Sequence, residues 1–152
     1  MQDSETDIYF MRLALEEAKL AFQEGEVPVG AVLVKDGKVI AKAHNSRETS
    51  KDPTGHAEIL VLRSGTHEND GWRLTDTTLY VTKEPCIMCA GAMLNARLGR
   101  LVYGCKDKKG GAVDSIYNLL SDGRLNHQVE VVSGVLEEKC AEVLKKFFQE
   151  RR

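Results

Sequence analysis

Three residues of this sequence, His56, Cys86 and Cys89, are of the types that bind soft or borderline transition metals. Cys86 and Cys89 are three apart, so on a helix both sulfurs lie on one face and reach one ion. Both motifs sit where a helix is expected to start, and the positive potential there favours thiolate, the form that binds metal. Zinc suits two sulfurs and one imidazole nitrogen best, with iron left open by the pattern. A structural zinc site fills all four tetrahedral positions with side chains, whereas three protein ligands leave the fourth to water. Zinc brings the pKa of that water from 15.7 to about 7, roughly 12 kcal/mol in favour of hydroxide at about 1.36 kcal/mol per unit. Glu58, two residues after His56, falls on a different helical face and is expected beside the metal, not on it. A carboxylate there can take a proton from the water, pass it to a ring nitrogen and later protonate a leaving amine. Together these residues predict metal-assisted hydrolysis, with zinc-bound hydroxide as nucleophile and Glu58 as the kind of proton shuttle that a deamination needs.

Other readings compete for the same residues. A Cys-x-x-Cys pair also occurs in redox proteins, where it follows a thioredoxin-like βαβ pattern and needs no distant histidine. A closed structural site would recruit Cys105, Cys140 or His44 as fourth ligand, and the sequence does not place these three. Cys140 reads as core packing. His67 and His127 read as surface or structural histidines, because no second ligand accompanies either at short spacing.

The elements that must position the motifs follow from periodicity and turn signals. Between Ile8 and Glu24, Phe10, Leu13, Ala14, Ala18, Ala21 and Phe22 predict an amphipathic helix that stops at Gly25. Val29 to Lys35 and Lys38 to His44 read as strands, with Asp36-Gly37 as the hairpin turn between them. Asp52-Pro53 reads as a helix cap with proline in the first turn, leading into His56-Ala57-Glu58 and Ile59 to Leu62. Thr78 to Thr82 is a short strand, and Glu84-Pro85 opens a helix from Cys86 to about Ala96. Arg100 to Gly104 and Val129 to Ser133 are further strands, Ala112 to Leu120 a short helix, and Leu136 to Phe148 an amphipathic helix. An initial hairpin followed by alternating strands and helices predicts an α/β sandwich with a mostly parallel sheet, binding ligands at the strand ends.

The 152 residues read as one domain, 1–152. A formal net charge of −2 argues against nonspecific nucleic-acid binding, so any RNA contact must be local. No apolar run approaches the roughly 20 residues of a membrane span. Met1 to Thr6 is acidic and polar, unlike a secretory leader, so a cytoplasmic protein with reduced cysteines is expected.

His-x-Glu followed by Pro-Cys-x-x-Cys is the pattern of the zinc-dependent nucleobase deaminases. With it stand Glu26-Val27-Pro28-Val29-Gly30-Ala31-Val32, His44-Asn45, His56-Ala57-Glu58-Ile59, Glu84-Pro85-Cys86-Ile87-Met88-Cys89-Ala90-Gly91-Ala92 and Leu125-Asn126-His127. On these segments nearly the whole chain resembles the bacterial tRNA-specific adenosine deaminases of the TadA type, in the cytidine/deoxycytidylate deaminase superfamily. The resemblance implies a cytidine deaminase-like fold, a three-layer α/β/α sandwich on a central five-stranded mixed sheet. It implies a homodimer with one zinc per subunit held by His56, Cys86 and Cys89, and Glu58 as the catalytic proton carrier. The implied substrate is the wobble adenosine in the anticodon loop of an arginine tRNA, converted to inosine. Asn45 would hydrogen-bond the flipped base, and Val29, Ala57 and Pro85 would line its pocket. Asp107 would contact the RNA sugar, and Lys106 and Lys109 would face phosphates. Phe147-Phe148 through Arg151-Arg152 resembles a segment that closes over the loop. Gly55 and Lys83 depart from the family, which more often carries small or apolar residues there.

Asn45 also reads as a plain turn residue, Lys106 to Lys109 as a solvated loop, and Phe147 and Phe148 as core. Two other functions remain in view. One is a free-base or nucleoside deaminase, acting on guanine or cytosine with the same zinc chemistry and no basic groove. The other is a noncatalytic, zinc-stabilised RNA-binding module.

Overall fold

The computed structural model describes residues 4–151; Arg152 and the first three residues of the acidic start lie outside them. Helix α1 (Glu5–Gln23) opens on Ser4, whose hydroxyl accepts the Asp7 N–H at 3.1 Å, and stops just before Gly25. Strands β1 (Gly30–Lys35) and β2 (Lys38–His44) form the expected hairpin. Asp36 and Gly37 between them both have positive φ, 51° and 74°, as a two-residue turn requires to match strand twist. The chain continues through α2 (Ala57–Asn69), β3 (Thr77–Lys83), α3 (Ile87–Asn95), β4 (Arg100–Cys105), β5 (Glu130–Ser133) and α4 (Glu137–Glu150).

The five strands make one sheet in the order β2-β1-β3-β4-β5. β1 pairs antiparallel with both β2 and β3, while β3–β4 and β4–β5 are parallel. The sheet is therefore evenly mixed, where alternation of strands and helices had predicted it mostly parallel. The helix-connected strands β2 and β3 do run the same way, but β1 lies between them and opposes both.

Side-chain alternation divides the core into two apolar layers. Ala31, Leu33, Leu79, Val81, Leu101 and Tyr103 face α2 and α3, meeting Val61, Leu62, Cys89 and Met93. Val32, Val34, Tyr80 and Val102 face α1 and α4, meeting Phe10, Met11, Ala14 and Cys140. This is the three-layer α/β/α sandwich. Buried Asp7 bolts α1 to the sheet, accepting from Tyr80 Oη at 2.7 Å and from both terminal nitrogens of Arg100 at 2.9 and 2.7 Å.

Two local expectations are corrected. Asp52 does not cap a helix: its carboxylate accepts the Thr54 N–H at 2.9 Å and hydroxyl at 2.7 Å in a local turn, and α2 begins at Ala57. Ala112 to Leu120 is not a helix; only Leu119–Ser121 forms a single 3-10 turn. The backbone N–H groups of Val113, Asp114 and Ser115 donate to the Glu84 carboxylate, which takes them out of any helical ladder.

Candidate active site

The registers bring several chain ends to one edge of the sheet. Gly30 of β1 pairs with His44 at the end of β2, and Lys83 at the end of β3 pairs with Cys105 at the end of β4. From that edge the chain enters α2 through His56 and α3 through Cys86. Both residues have extended backbone at the N-cap position, φ −78° in each case, so their side chains stand at the positive ends of two helices.

His56 Nδ1 lies 3.6 Å from Cys86 Sγ and 3.6 Å from Cys89 Sγ, and all three ligand atoms fall within 4.8 Å of one another. A tetrahedral zinc about 2.3 Å from sulfur and about 2.0–2.1 Å from nitrogen has an S···N edge of about 3.6 Å, so donor chemistry and spacing both fit that ion. The cluster contains three ligand atoms; no fourth His, Cys, Asp or Glu joins it among the described residues. His44 instead bridges Glu17 and Glu24 at 2.9 and 3.0 Å, Cys105 donates to the Thr82 carbonyl at 3.5 Å, and Cys140 is buried core. His67 is exposed, and His127 Nε2 bonds the Leu98 carbonyl at 2.8 Å. A hydrogen bond from Cys89 draws the Cys86 thiol down to about 4 against the opposing effect of burial, with His56 assisting. Bonding to that sulfur and burial push Cys89 up.

Glu58 follows in the first turn of α2, 4% exposed, and lines a cleft together with His56 and Cys86 of the trio. Burial, reinforced by the charge on Cys86, pushes it up to about 7. A carboxyl poised there can both take and give a proton at neutral pH.

The cleft has a volume of about 320 Å³. Of the residues expected at a substrate, Val29, Asn45, Ala57 and Asp107 line it with His56, Glu58 and Cys86. Pro85 is buried behind the wall, its carbonyl accepting the Ala112 N–H at 2.9 Å, and the exposed Lys106 and Lys109 lie outside the lining. Asn45 lines the cleft, and its Nδ2 donates to Val27 O at 3.3 Å while its Oδ1 accepts the Arg47 N–H at 3.2 Å, the local bonding of a turn residue. The two phenylalanines divide. Phe147 is buried against Phe22 with Arg151 stacked 4.0 Å over its ring, while Phe148, 49% exposed, lines the cleft.

Sequence reasoning missed three supports. Arg47 lines the cleft. Buried Glu26 holds the loop that carries Arg47, accepting the N–H groups of Glu48 at 3.0 Å and Thr49 at 2.6 Å. Glu84, also on the wall, accepts the Ser115 hydroxyl and the N–H groups of Asp107, Val113, Asp114 and Ser115. Although burial opposes its charge, those donors bring Glu84 down to about 2. The one available hint was the Gly110-Gly111 pair, since a Cβ at Gly111 would collide with the Glu84 carboxylate. Lys83, noted only as a departure, completes the wall: its Nζ lies 3.3 Å from Asp107 Oδ2.

Comparison with known proteins gives a consistent answer. The family model of MafB19-like deaminases matches residues 5–152. The tRNA-specific adenosine deaminase of Bacillus subtilis (strain 168) is 51% identical over 146 residues, 96% of this chain and 91% of that protein. A solved structure from a study of A-to-I editing by tRNA:A34 deaminases at the wobble position of transfer RNA superposes with a TM-score of 0.86 at 48% identity, covering 90% of this chain and 99% of the other. The X-ray structure of guanine deaminase from Bacillus subtilis is 38% identical, with a TM-score of 0.62 over 64% of this chain and 63% of the other.

Proposed function

Because the chain belongs to the MafB19-like deaminases and to the tRNA-specific adenosine deaminases, we propose that it converts the wobble adenosine of an arginine tRNA to inosine. Water replaces the amino group, which leaves as ammonia. The observation that carries this reading is the three-ligand cluster with a buried carboxylate beside it at the base of one cleft.

His56 Nδ1, Cys86 Sγ and Cys89 Sγ would hold one zinc ion, which when bound supplies the Lewis acidity that makes water a nucleophile at neutral pH. Glu58 accepts one proton from the attacking water and transfers it to N1 of the purine, then takes the remaining proton of the hydroxyl added to the base and delivers it to the departing amine. Val29 and Ala57 flank the base, and Asn45 offers it the polar contact that orients it. A base in an anticodon loop is already poorly stacked, so extruding it into the cleft costs little. Asp107 at the rim contacts the ribose, and exposed Lys106 and Lys109 meet phosphates farther out. Exposed Phe148 supports a role for the C-terminal helix in covering the bound loop.

The whole chain acts as a single deaminase domain in the cytoplasm, where its tRNA substrate is. A homodimer is the active form. Supporting it, an apolar groove between α2 and α3 is lined by Ile59, Leu62, Trp72, Ala92 and Ala96, with Trp72 52% exposed. Among the described residues no helix is long and apolar enough to cross a membrane.

Mass spectrometry of an anticodon stem-loop RNA incubated with the protein is the direct test. The expected result is a gain of about one dalton on the wobble nucleotide, an amine exchanged for a carbonyl oxygen. Ammonia released from free guanine, cytosine or cytidine but not from the RNA would refute the substrate.

A further inference from the structure

Lys83 stands at the end of β3, and its side chain is 29% exposed on the cleft wall. Among the described residues its one ion-pair partner is Asp107, whose Oδ2 is 3.3 Å from Nζ. The other oxygen of Asp107 is already engaged, accepting the N–H groups of Lys109 and Gly110 at 3.1 Å each. The carboxylate is therefore fixed in rotation and keeps the ammonium beside it by charge, and a lysine has three N–H donors to offer a further acceptor. A base that reaches Glu58 past Val29 and Asn45 leaves its ribose and flanking phosphates at the rim. The side chains waiting there include Arg47, Lys83, Asp107 and Phe148. Unpaired, Asp107 would repel the phosphates; paired, it becomes the support of a cation that meets them.

We propose that the Lys83 ammonium, held in place by Asp107, donates to a phosphodiester next to the base that enters the cleft, so that this site selects a polynucleotide over a free base or nucleoside. The inference rests on the deaminase reading above. It makes Lys83 a specificity residue and gives the chain a phosphate contact at the chemistry itself, where a net charge of −2 provides no general attraction.

The test is a salt titration of binding with metal-loaded protein carrying Glu58→Gln, which allows substrate to bind without turning over. Fluorescence anisotropy compares that protein with its Lys83→Met and Lys83→Arg derivatives on an anticodon stem-loop RNA, adenosine 5′-monophosphate and adenosine. Lys83→Met is expected to weaken RNA binding on the order of three- to tenfold at low salt and to flatten log K against log salt by about 0.7, one single-strand phosphate contact. Adenosine binding stays unchanged, and Lys83→Arg keeps the slope. An unchanged slope in Lys83→Met overturns the proposal, and so does a loss confined to the mononucleotide. Adding Asp107→Asn to Lys83→Met separates gripping from mere neutralisation: the flattened slope persists if Lys83 holds phosphate, and its full restoration overturns the assignment. Failure of the underlying reading has its own signature, an unaltered RNA mass with the unmodified protein.

Discussion

The backbone N–H of Asp107 donates to Glu84 Oε1 at 3.0 Å, so the loop carrying one acid of the cleft is anchored on another acid two residues ahead of Cys86. Through this bond, and the N–H groups of Val113, Asp114 and Ser115 on the same carboxylate, the floor and the rim of the cleft share one reference point.

Gly111→Ala tests that clamp. The new methyl group would occupy the space of the Glu84 carboxylate, so either the loop or the acid must shift. Urea unfolding should report a loss of about 1–3 kcal/mol, and kcat/KM on RNA should fall with it. A variant as stable and as active as the parent would mean the loop accommodates without Glu84.

Glu58→Ala should lower turnover about 10²–10⁴-fold, the usual contribution of a general acid–base group, while metal content by elemental analysis stays at one ion per chain. A noncatalytic module would keep its full function in this variant. Loss of metal together with activity would instead make Glu58 a support of the ligand set.

Metal removal should cost stability as well as activity, because an ion bound to the folded chain and not to the unfolded one adds about 3 kcal/mol when free zinc is near 100 Kd. Chelator should therefore lower the Tm of the parent and leave that of Cys89→Ser or His56→Ala unmoved. A parent Tm indifferent to chelator counts against a resident ion at this trio.

His44 supplies a pH-dependent contribution away from the chemistry. Burial works against its charge, but the Glu17 and Glu24 carboxylates bonded to its two nitrogens outweigh that and raise it above 6.5. A raised folded-state value means the contribution is fully present below about pH 6.5 and is lost as pH climbs through the raised value. The stability gap between parent and His44→Asn should accordingly be wider at about pH 6 than at about pH 9 by chemical denaturation. A gap that is constant or grows with pH would show that the two acids do not hold an imidazolium.

Much of this was legible because the informative signals are local. Asp36-Gly37 needs two residues at positive φ and little else, and the ligand trio sits in two short motifs that each open a helix. What escaped depends on strands meeting in space. Arg47, Lys83 and Glu84 reach the cleft only once β3 lies beside β4 and the loop after β2 folds over the same edge. Ala112 to Leu120 reads as a helix and is not one for a related reason: its amides are claimed by an acid about 30 residues earlier, which no window of local sequence reveals. The mostly parallel sheet failed because spacing does not say that β1 intervenes between β2 and β3.

The mixed sheet carries one more implication. By opposing both neighbours, β1 sends its start, and the exits of β2, β3 and β4, to the same rim, and leaves the Asp36-Gly37 turn and the stretch from Asp70 to Asp76 at the far one. The Asp36-Gly37 turn, which is not part of the groove that Trp72 lines, is an attachment point on that second rim: a fluorophore, an affinity handle or a whole fused domain grafted there would ride on the enzyme without entering the path of the nucleic acid.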